Sequence, residues 1–452
     1  MTTTPLPLRD IPAWERPVTS RTLLRVSAVC FLAWVFSVYD YTLFGTLLPK
    51  IADDFGWSPA KATTVATWVT LGTFVVALSV GPLLDRVGRK RALVIAIVGA
   101  AISSGFTGLA AGAVSLVVIR AFSGFGYSEE LVNTVYLNEM YGKARRRGFM
   151  YSFVQSGWPV GALVSAGLTA VLLPAVGWRW SFVIAVIPSI LVALLATRLP
   201  ESPAFAALTE VRRLRSNGHA DQADALAGRV GLTVTGEAKA TLKDVFAPGL
   251  RRHTICLSLA WLFNWMAIQV FSVLGTTVLT QGKHVSFDNA LLVLVLANAV
   301  GFVGYLFHGW VGDRIGRRTT IIAGWTMGAV LTGVMLLGPA TSTFVIPLYA
   351  LSLFFLTGPY AALLFYMGES FPAQVRGLGP NVAHTMGPVG AIVGSALLSV
   401  LLGAGVSMVV AALIAGSVFM LASGLVMLGT RRVDQEHHVA VVHLAAEEGE
   451  AA

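Results

Sequence analysis

The stretch Gly81-Pro-Leu-Leu-Asp85-Arg86-Val-Gly88-Arg89-Lys90 returns later in the chain as Gly309-Trp-Val-Gly-Asp313-Arg314-Ile-Gly316-Arg317-Arg318. Asp85 and Asp313 stand 228 positions apart, about half of the 452 residues. Each copy closes one long apolar run and precedes another. A fold for this chain must therefore accept the same charged turn twice, in corresponding places of two apolar halves. That pattern belongs to internally duplicated membrane proteins.

Composition agrees. Hydrophobic residues make up 55% of the chain and charged residues only 12%, roughly half the charge of a soluble domain. About 20 apolar residues suffice to cross a bilayer. The sequence predicts twelve spans near 24–48, 62–84, 91–110, 113–139, 149–174, 179–198, 252–279, 289–312, 319–338, 342–367, 378–402 and 405–429. The expected fold is an all-α membrane protein with two pseudo-symmetric bundles of six transmembrane helices, 24–198 and 252–429. Tails at 1–23 and 430–452 and a linker at 199–251 complete it.

The net charge of +9 follows topology. Arg86, Arg89, Lys90 and Arg91 lie between spans two and three, and Lys143, Arg145, Arg146 and Arg147 between four and five. Arg314, Arg317 and Arg318 lie between eight and nine, Arg376 follows span ten, and Arg431 and Arg432 follow span twelve. The alternate loops carry little charge. Basic loops stay cytoplasmic, which places both termini inside a cell (inner) membrane and removes the case for a nucleic-acid partner. Residues 1–20 are too polar and proline-rich for a signal peptide. Cys30 and Cys256 give neither a disulfide framework nor metal spacing, and no cofactor is expected. The linker has helix-forming Ala, Leu, Glu and Arg between Thr209 and Gly231, which predicts one or two short surface helices.

The duplication has further landmarks. Asn138-Glu139 ends span four and Gly368-Glu369 ends span ten; Arg146 and Arg376 each follow seven residues later. Gly81, Asp85, Arg86, Gly88, Arg89, Glu139, Arg146, Asp313, Arg314, Gly316, Arg317, Glu369 and Arg376 form the expected cytoplasmic gate. In it Gly88 and Gly316 permit a tight turn, and the arginines bond carboxylates across the interface between halves. Glu139 is expected against Arg145 or Arg146, Glu369 against Arg376, and His308 beside the second loop. The competing reading is that these charges only fix topology.

Ionisable residues inside spans are functional candidates. Asp40 lies about eight residues before the outer end of span one, and Arg120 about seven residues into span four. At 1.5 Å per residue both sit roughly 10–12 Å below the outer edge, a depth at which they can pair. Burial favours a neutral acid and a nearby guanidinium favours the carboxylate, so water access and the distance to Arg120 decide whether Asp40 holds a proton. Arg120 itself does not deprotonate. A static brace, or a direct anchor for a substrate carboxylate, are its other readings. On a continuous helix Glu129 points about 180° from Arg120 and Glu130 about 80° away, which favours Glu130 as its neighbour. Tyr39, Tyr41, Gln155, Trp158, Asn264, Gln269, Tyr360, Tyr366 and His384 are candidates for substrate contact, each weighed against a packing role.

The repeated Gly-x-x-x-Asp-Arg-x-Gly-Arg-Arg/Lys loop resembles the signature of the major facilitator superfamily. Pro200-Glu201-Ser202-Pro203 and Gly177-Trp178-Arg179 resemble its sugar porters. Tyr39-Asp40-Tyr41 looks closer to the metabolite:proton symporters and their aromatic-acid and sialate relatives. The resemblance covers residues 24–430. It implies alternating access and proton-coupled symport of a small organic solute, an organic or aromatic carboxylate ahead of a sugar. In proton-coupled sugar porters an Asp of the first helix pairs with an Arg of the fourth, the positions of Asp40 and Arg120. The metabolite:proton symporters carry a Glu that matches Glu129 better than Glu130, against the helical wheel. Gly157-Trp158-Pro159-Val160-Gly161 resembles the antiporter motif of drug exporters but lacks its Gly-Pro pair. Export, uncoupled facilitation and a non-transporting sensor stand as alternatives. The expected partners are a small-molecule substrate, a proton and the lipid bilayer. A monomer is expected, and an enzyme is not, since no nucleophile–base set is visible.

Overall fold

The apolar runs fold as helices. The computed structural model describes residues 18–80, 86–141, 147–229, 241–372, 375 and 378–433. Gly81, Asp85, Arg146 and Arg376 lie outside them. Among the described residues, ten helical stretches are long and apolar enough to cross a membrane. One of them, Phe153–Thr197, runs for 45 residues, about twice what a bilayer requires. It turns back at Gly177, whose φ of 73° interrupts the helix, and so supplies spans five and six. Span four is helical in three pieces, Ala113–Ala121, Gly124–Tyr127 and Glu129–Tyr141. With these the described helices are consistent with the twelve spans expected.

Local chemistry sets the joints. Span one, Ser20–Phe55, gives way to span two, Pro59–Ala77, where the Ser58 hydroxyl accepts from Lys61 N at 3.3 Å and Pro59 occupies the first turn. Such a cap satisfies an amide that the helix cannot. Ser202 and Pro203 repeat the device at the linker helix Pro203–Ser216, with Phe205 N at 3.2 Å from the Ser202 hydroxyl. That helix and its neighbour Ala220–Arg229 pack through Val211, Ala223, Leu226 and Ala227, the two short linker helices expected.

The surface is inverted relative to a soluble protein. Leu109, Val114, Val171, Leu337 and Val400 are among many large apolar side chains left exposed, as hydrocarbon surroundings require and water would penalise. The chain is a multi-pass membrane protein.

Contacts divide it into two compact units that meet in sequence at Lys239 and Ala240. Val273–Thr280 and Ser286–Val295 group with the first unit. Pro49, inside span one, has no N–H for the carbonyl of Gly45 four residues earlier. The Thr276 hydroxyl supplies the missing donor, 3.1 Å from Gly45 O and 3.0 Å from Thr46 O.

The repeat is visible in the backbone. Gly88 and Gly316 adopt φ of 97° and 89° at the starts of spans three (Arg89–Thr107) and nine (Arg317–Leu337). Only glycine takes that conformation without strain.

Candidate functional site

In the first unit the structure brings Asp40 and Arg120 together. One terminal nitrogen of Arg120 lies 2.9 and 3.2 Å from the two carboxylate oxygens of Asp40, and the other donates to the Asp40 carbonyl at 3.0 Å. Both residues are buried, with relative exposures of 3% and 1%. The guanidinium carbon sits over the rings of Phe44 (5.8 Å) and Phe182 (5.5 Å), a cation–π environment that replaces water around the charge. A buried charge pair needs such close pairing; both terminal nitrogens of Arg120 are bonded, while its Nε has no hydrogen-bond partner among the described residues.

Span four breaks just after Arg120. The Arg120 carbonyl, released from regular α-helical bonding, accepts from Ser123 Oγ at 2.6 Å and Thr73 Oγ1 at 3.3 Å. Hydroxyls in this role let a broken helix persist in a membrane. The break overturns the helical-wheel expectation, because 100° per residue does not carry across Phe122–Ser123 and Ser128. Neither glutamate bonds Arg120. Glu129 is fully buried, bonded by the Ser37 hydroxyl and by Asn133 Nδ2, the latter at 2.7 Å. Half-buried Glu130 accepts from Gln155 Nε2 at 3.3 Å, and Gln155 in turn donates to Tyr151 Oη at 2.9 Å.

Aromatic rings gather beside this pair. Tyr41 lies 5.6 Å from Tyr127 and 6.2 Å from Trp158, and Trp34 lies 6.0 Å from Trp158. Tyr39 is buried with its ring edge-on to Phe36.

In the second unit Tyr360 Oη donates to Asn264 Oδ1 at 2.7 Å, and the rings of Trp261, Tyr360 and His384 adjoin. Gln269 is buried within a π-helical turn, Ile268–Val273. Tyr366 departs from the expectation of substrate contact. Its hydroxyl donates to the Arg431 carbonyl at 2.6 Å, and His253 Nδ1 accepts from Arg431 N at 3.2 Å. These bonds fasten the end of the last span, so Tyr366 acts three residues from Glu369, at the end of span ten. His308 bonds Gly304 O at 2.8 Å among Phe307, Phe354 and Phe355, a packed position within its helix.

The gate residues pair within each unit. Arg89 Nε lies 2.9 Å and its terminal nitrogen 2.7 Å from Glu139 Oε1, while the Ser202 hydroxyl bonds the other oxygen of Glu139. Glu201 accepts from Arg89 N and Lys90 N at 3.0 and 3.1 Å, placing a carboxylate on the first turn of span three, where the helix dipole favours it. Arg317 pairs with Glu369, repeating Arg89–Glu139 in the second unit. Glu139 and Glu369 thus meet the arginines of the repeated loops; Arg145, Arg146 and Arg376, to which the sequence also pointed, lie outside the described residues. Asp313 is largely exposed, 3.4 Å from Arg317, and Arg314 stacks on Trp310 at 3.8 Å. Arg86 is exposed. Ser37, Asn133, Phe44, Phe182, Trp261 and Trp325 carry no sequence signal of their own. Glu201 and Ser202 did, in the Pro200–Pro203 motif.

Comparison with known proteins gives the family. Residues 30–307, more than half of the chain, match the profile described as Major Facilitator Superfamily. A gallate transporter of Pseudomonas putida is 28% identical, covering 88% of this chain and 90% of its own. A niacin transporter of Acinetobacter baylyi is 26% identical (80% and 83%), and a gentisate transporter of Corynebacterium glutamicum 28% (84% and 81%). The fold resembles the inward-open xylose transporter of E. coli, with a TM-score of 0.69 at 16% identity over 91% of this chain and 97% of that one. The chain belongs to the Major Facilitator Superfamily and is a transport protein of that family.

Proposed function

We propose that the protein is a proton-coupled symporter of a small organic carboxylate, aromatic acids foremost, working by alternating access. It resides in the cell (inner) membrane with its basic loops and both termini in the cytoplasm. The observation that carries this reading is the buried Asp40–Arg120 pair. The relatives named for gallate and gentisate support the substrate class.

The chemistry is an exchange of partners. In the resting arrangement Arg120 is engaged by Asp40. An incoming substrate carboxylate offers Arg120 an equivalent anion, and Asp40, left without its cation in a buried place, takes up a proton. On the other side the substrate leaves, Arg120 returns to Asp40 and the proton departs. Glu129, bonded by the neutral groups of Ser37 and Asn133, is a second acid on the same path, with Glu130 and Gln155 beside it.

The test uses purified protein in liposomes holding a pH-sensitive dye. Benzoate, gallate, xylose and acetate are added in turn, with and without an imposed pH gradient. Proton uptake that depends on the aromatic acids is the expected result. A response to xylose alone would replace the substrate class. Label exchange with no proton movement would replace symport with facilitation.

A further inference from the structure

Five arginines gather at one end of the second unit. Arg251 and Arg252 open span seven (Arg251–Ala267), Arg431 and Arg432 follow span twelve (Met408–Gly429), and Arg318 lies in the first turn of span nine. Arg251, Arg252, Arg431 and Arg432 are exposed. Among the described residues none of these four is ion-paired. The carboxylates of the adjoining segments are committed elsewhere: Asp244 accepts from Thr241 N and Oγ1 at 2.7 and 2.8 Å, and Glu369 pairs with Arg317.

The usual duties of basic residues at a helix end do not account for them. Arg318 already supplies the cation for the C-terminal end of span twelve, donating to Met427 O at 3.1 Å and to Leu428 O. Topology depends on how many basic residues a loop carries and needs none of them held in place. Arg431 is held. Its N–H donates to His253 Nδ1 at 3.2 Å, and its carbonyl accepts from Tyr366 Oη at 2.6 Å.

Spans seven and twelve lie side by side below these charges. The rings of Phe263 and Phe419 are 5.3 Å apart. Roughly two turns nearer the arginines, a β-carbon at Gly429 would stand 2.4 Å from Cys256 Sγ and 3.7 Å from Arg252 Nε. Arg251, Ile255 and Leu259 recur every four residues and so share one face of span seven. Leu421, Leu425 and Leu428 do the same on span twelve, just before Arg431. All five of these apolar side chains are exposed. Leu242 and Phe246 add further exposed apolar surface, on a segment that the Thr254 hydroxyl fastens to span seven through Val245 O at 2.8 Å.

We propose that this end of spans seven and twelve binds one anionic phospholipid, its phosphate among Arg251, Arg252, Arg431 and Arg432 and its acyl chains along the two exposed stripes. Guanidinium forks match phosphate oxygens, and basic pockets between membrane helices take such headgroups. A soluble anion would use the charges and leave the apolar stripes unexplained. The bound lipid ties the end of span twelve to span seven and, through Tyr366, to the end of span ten. The site is independent of what the protein carries.

The test is native mass spectrometry of the full chain, delipidated in detergent and titrated with dioleoylphosphatidylglycerol or dioleoylphosphatidylcholine, with glycerol phosphate as competitor. One phosphatidylglycerol per chain is expected to bind about tenfold or more tightly than phosphatidylcholine, and glycerol phosphate is expected not to displace it. Arg252→Gln combined with Arg431→Gln is expected to weaken binding roughly thirtyfold, about fivefold for each arginine. Should that variant fail to fold, Arg251→Gln with Arg432→Gln is expected to give the same loss. Arg21→Gln with Arg25→Gln removes two exposed arginines at the start of span one, in the first unit, and is expected to leave binding unchanged. Equal affinity for the two lipids, displacement by glycerol phosphate, or an equal loss in the span-one variant would overturn the site.

Discussion

Arg120 holds Asp40 at two points, its carboxylate at 2.9 Å and its backbone carbonyl at 3.0 Å. Displacing the guanidinium therefore frees a side-chain charge and a backbone acceptor of span one at the same moment. Removing one partner of a buried pair costs about 3–5 kcal/mol, whereas neutralising both costs far less. Arg120→Ala should lower the thermal unfolding temperature clearly, and Asp40→Asn in the same chain should restore most of it. A double variant as unstable as Arg120→Ala alone would show that the pair is not the source of the loss.

Transport separates the roles further. Asp40→Asn keeps the shape of the side chain but cannot carry a proton. Substrate in proteoliposomes should then reach no higher concentration inside than outside, while exchange of preloaded label continues. Loss of both activities would assign Asp40 a bracing role.

The partner exchange at Arg120 moves one proton with one monovalent anion, so the cycle carries no net charge. A net charge would feel about 2.3 kcal/mol per 100 mV across the membrane. Benzoate uptake should accelerate as the external pH falls and stay insensitive to a potassium diffusion potential. Acceleration by an inside-negative potential would require more protons per turnover.

Gly88 and Gly316 share a backbone conformation but differ in surroundings. A β-carbon at Gly88 would stand 2.6 Å from Glu201 Oε2 and from Phe205 Cε1, while at Gly316 the nearest atom, Thr319 Oγ1, is 4.0 Å away. Gly316→Ala should cost about 1–3 kcal/mol, the strain of a side chain at φ 89° and ψ 136°. Gly88→Ala should cost more, because it also displaces Glu201 from the first turn of span three. Equal shifts in unfolding temperature would contradict the difference.

Arg89–Glu139 and Arg317–Glu369 are counterparts, yet the first pair is bidentate and joined by Ser202. Bidentate charged bonds are the stronger kind. Double-mutant cycles with Gln replacements should give coupling of about 1–2 kcal/mol for Arg89–Glu139 and less for Arg317–Glu369. The reverse order would show that bidentate geometry does not set the strength of these pairs.

The duplicated loop made the fold and the two positive-φ glycines legible, because a tight charged turn between apolar runs leaves glycine little competition. Asp40 and Arg120 were legible as a pair because helical rise alone sets their depth. The neighbourhood of Glu129 was not, since the breaks at Phe122–Ser123 and Ser128 defeat any regular wheel and depend on hydroxyls from other residues. The partners of Glu139 and Glu369 were hidden for a related reason: they come from elements distant in sequence. Nothing in the sequence sets Trp261 and Trp325 apart from other membrane aromatics.

Pro49 and Thr276 are separated by most of the first half of the chain and part of the second, yet one answers a need the other creates: a hydroxyl for the carbonyl of Gly45. Their inheritance should therefore be linked. Relatives that keep a proline at the position of Pro49 should retain a hydroxyl-bearing residue at that of Thr276, and those with an N–H there are free to drift to valine. A single drift at Thr276 leaves an orphaned acceptor, whereas Pro49→Ala beforehand makes the same change nearly silent, so the order of the two substitutions decides which lineages survive it.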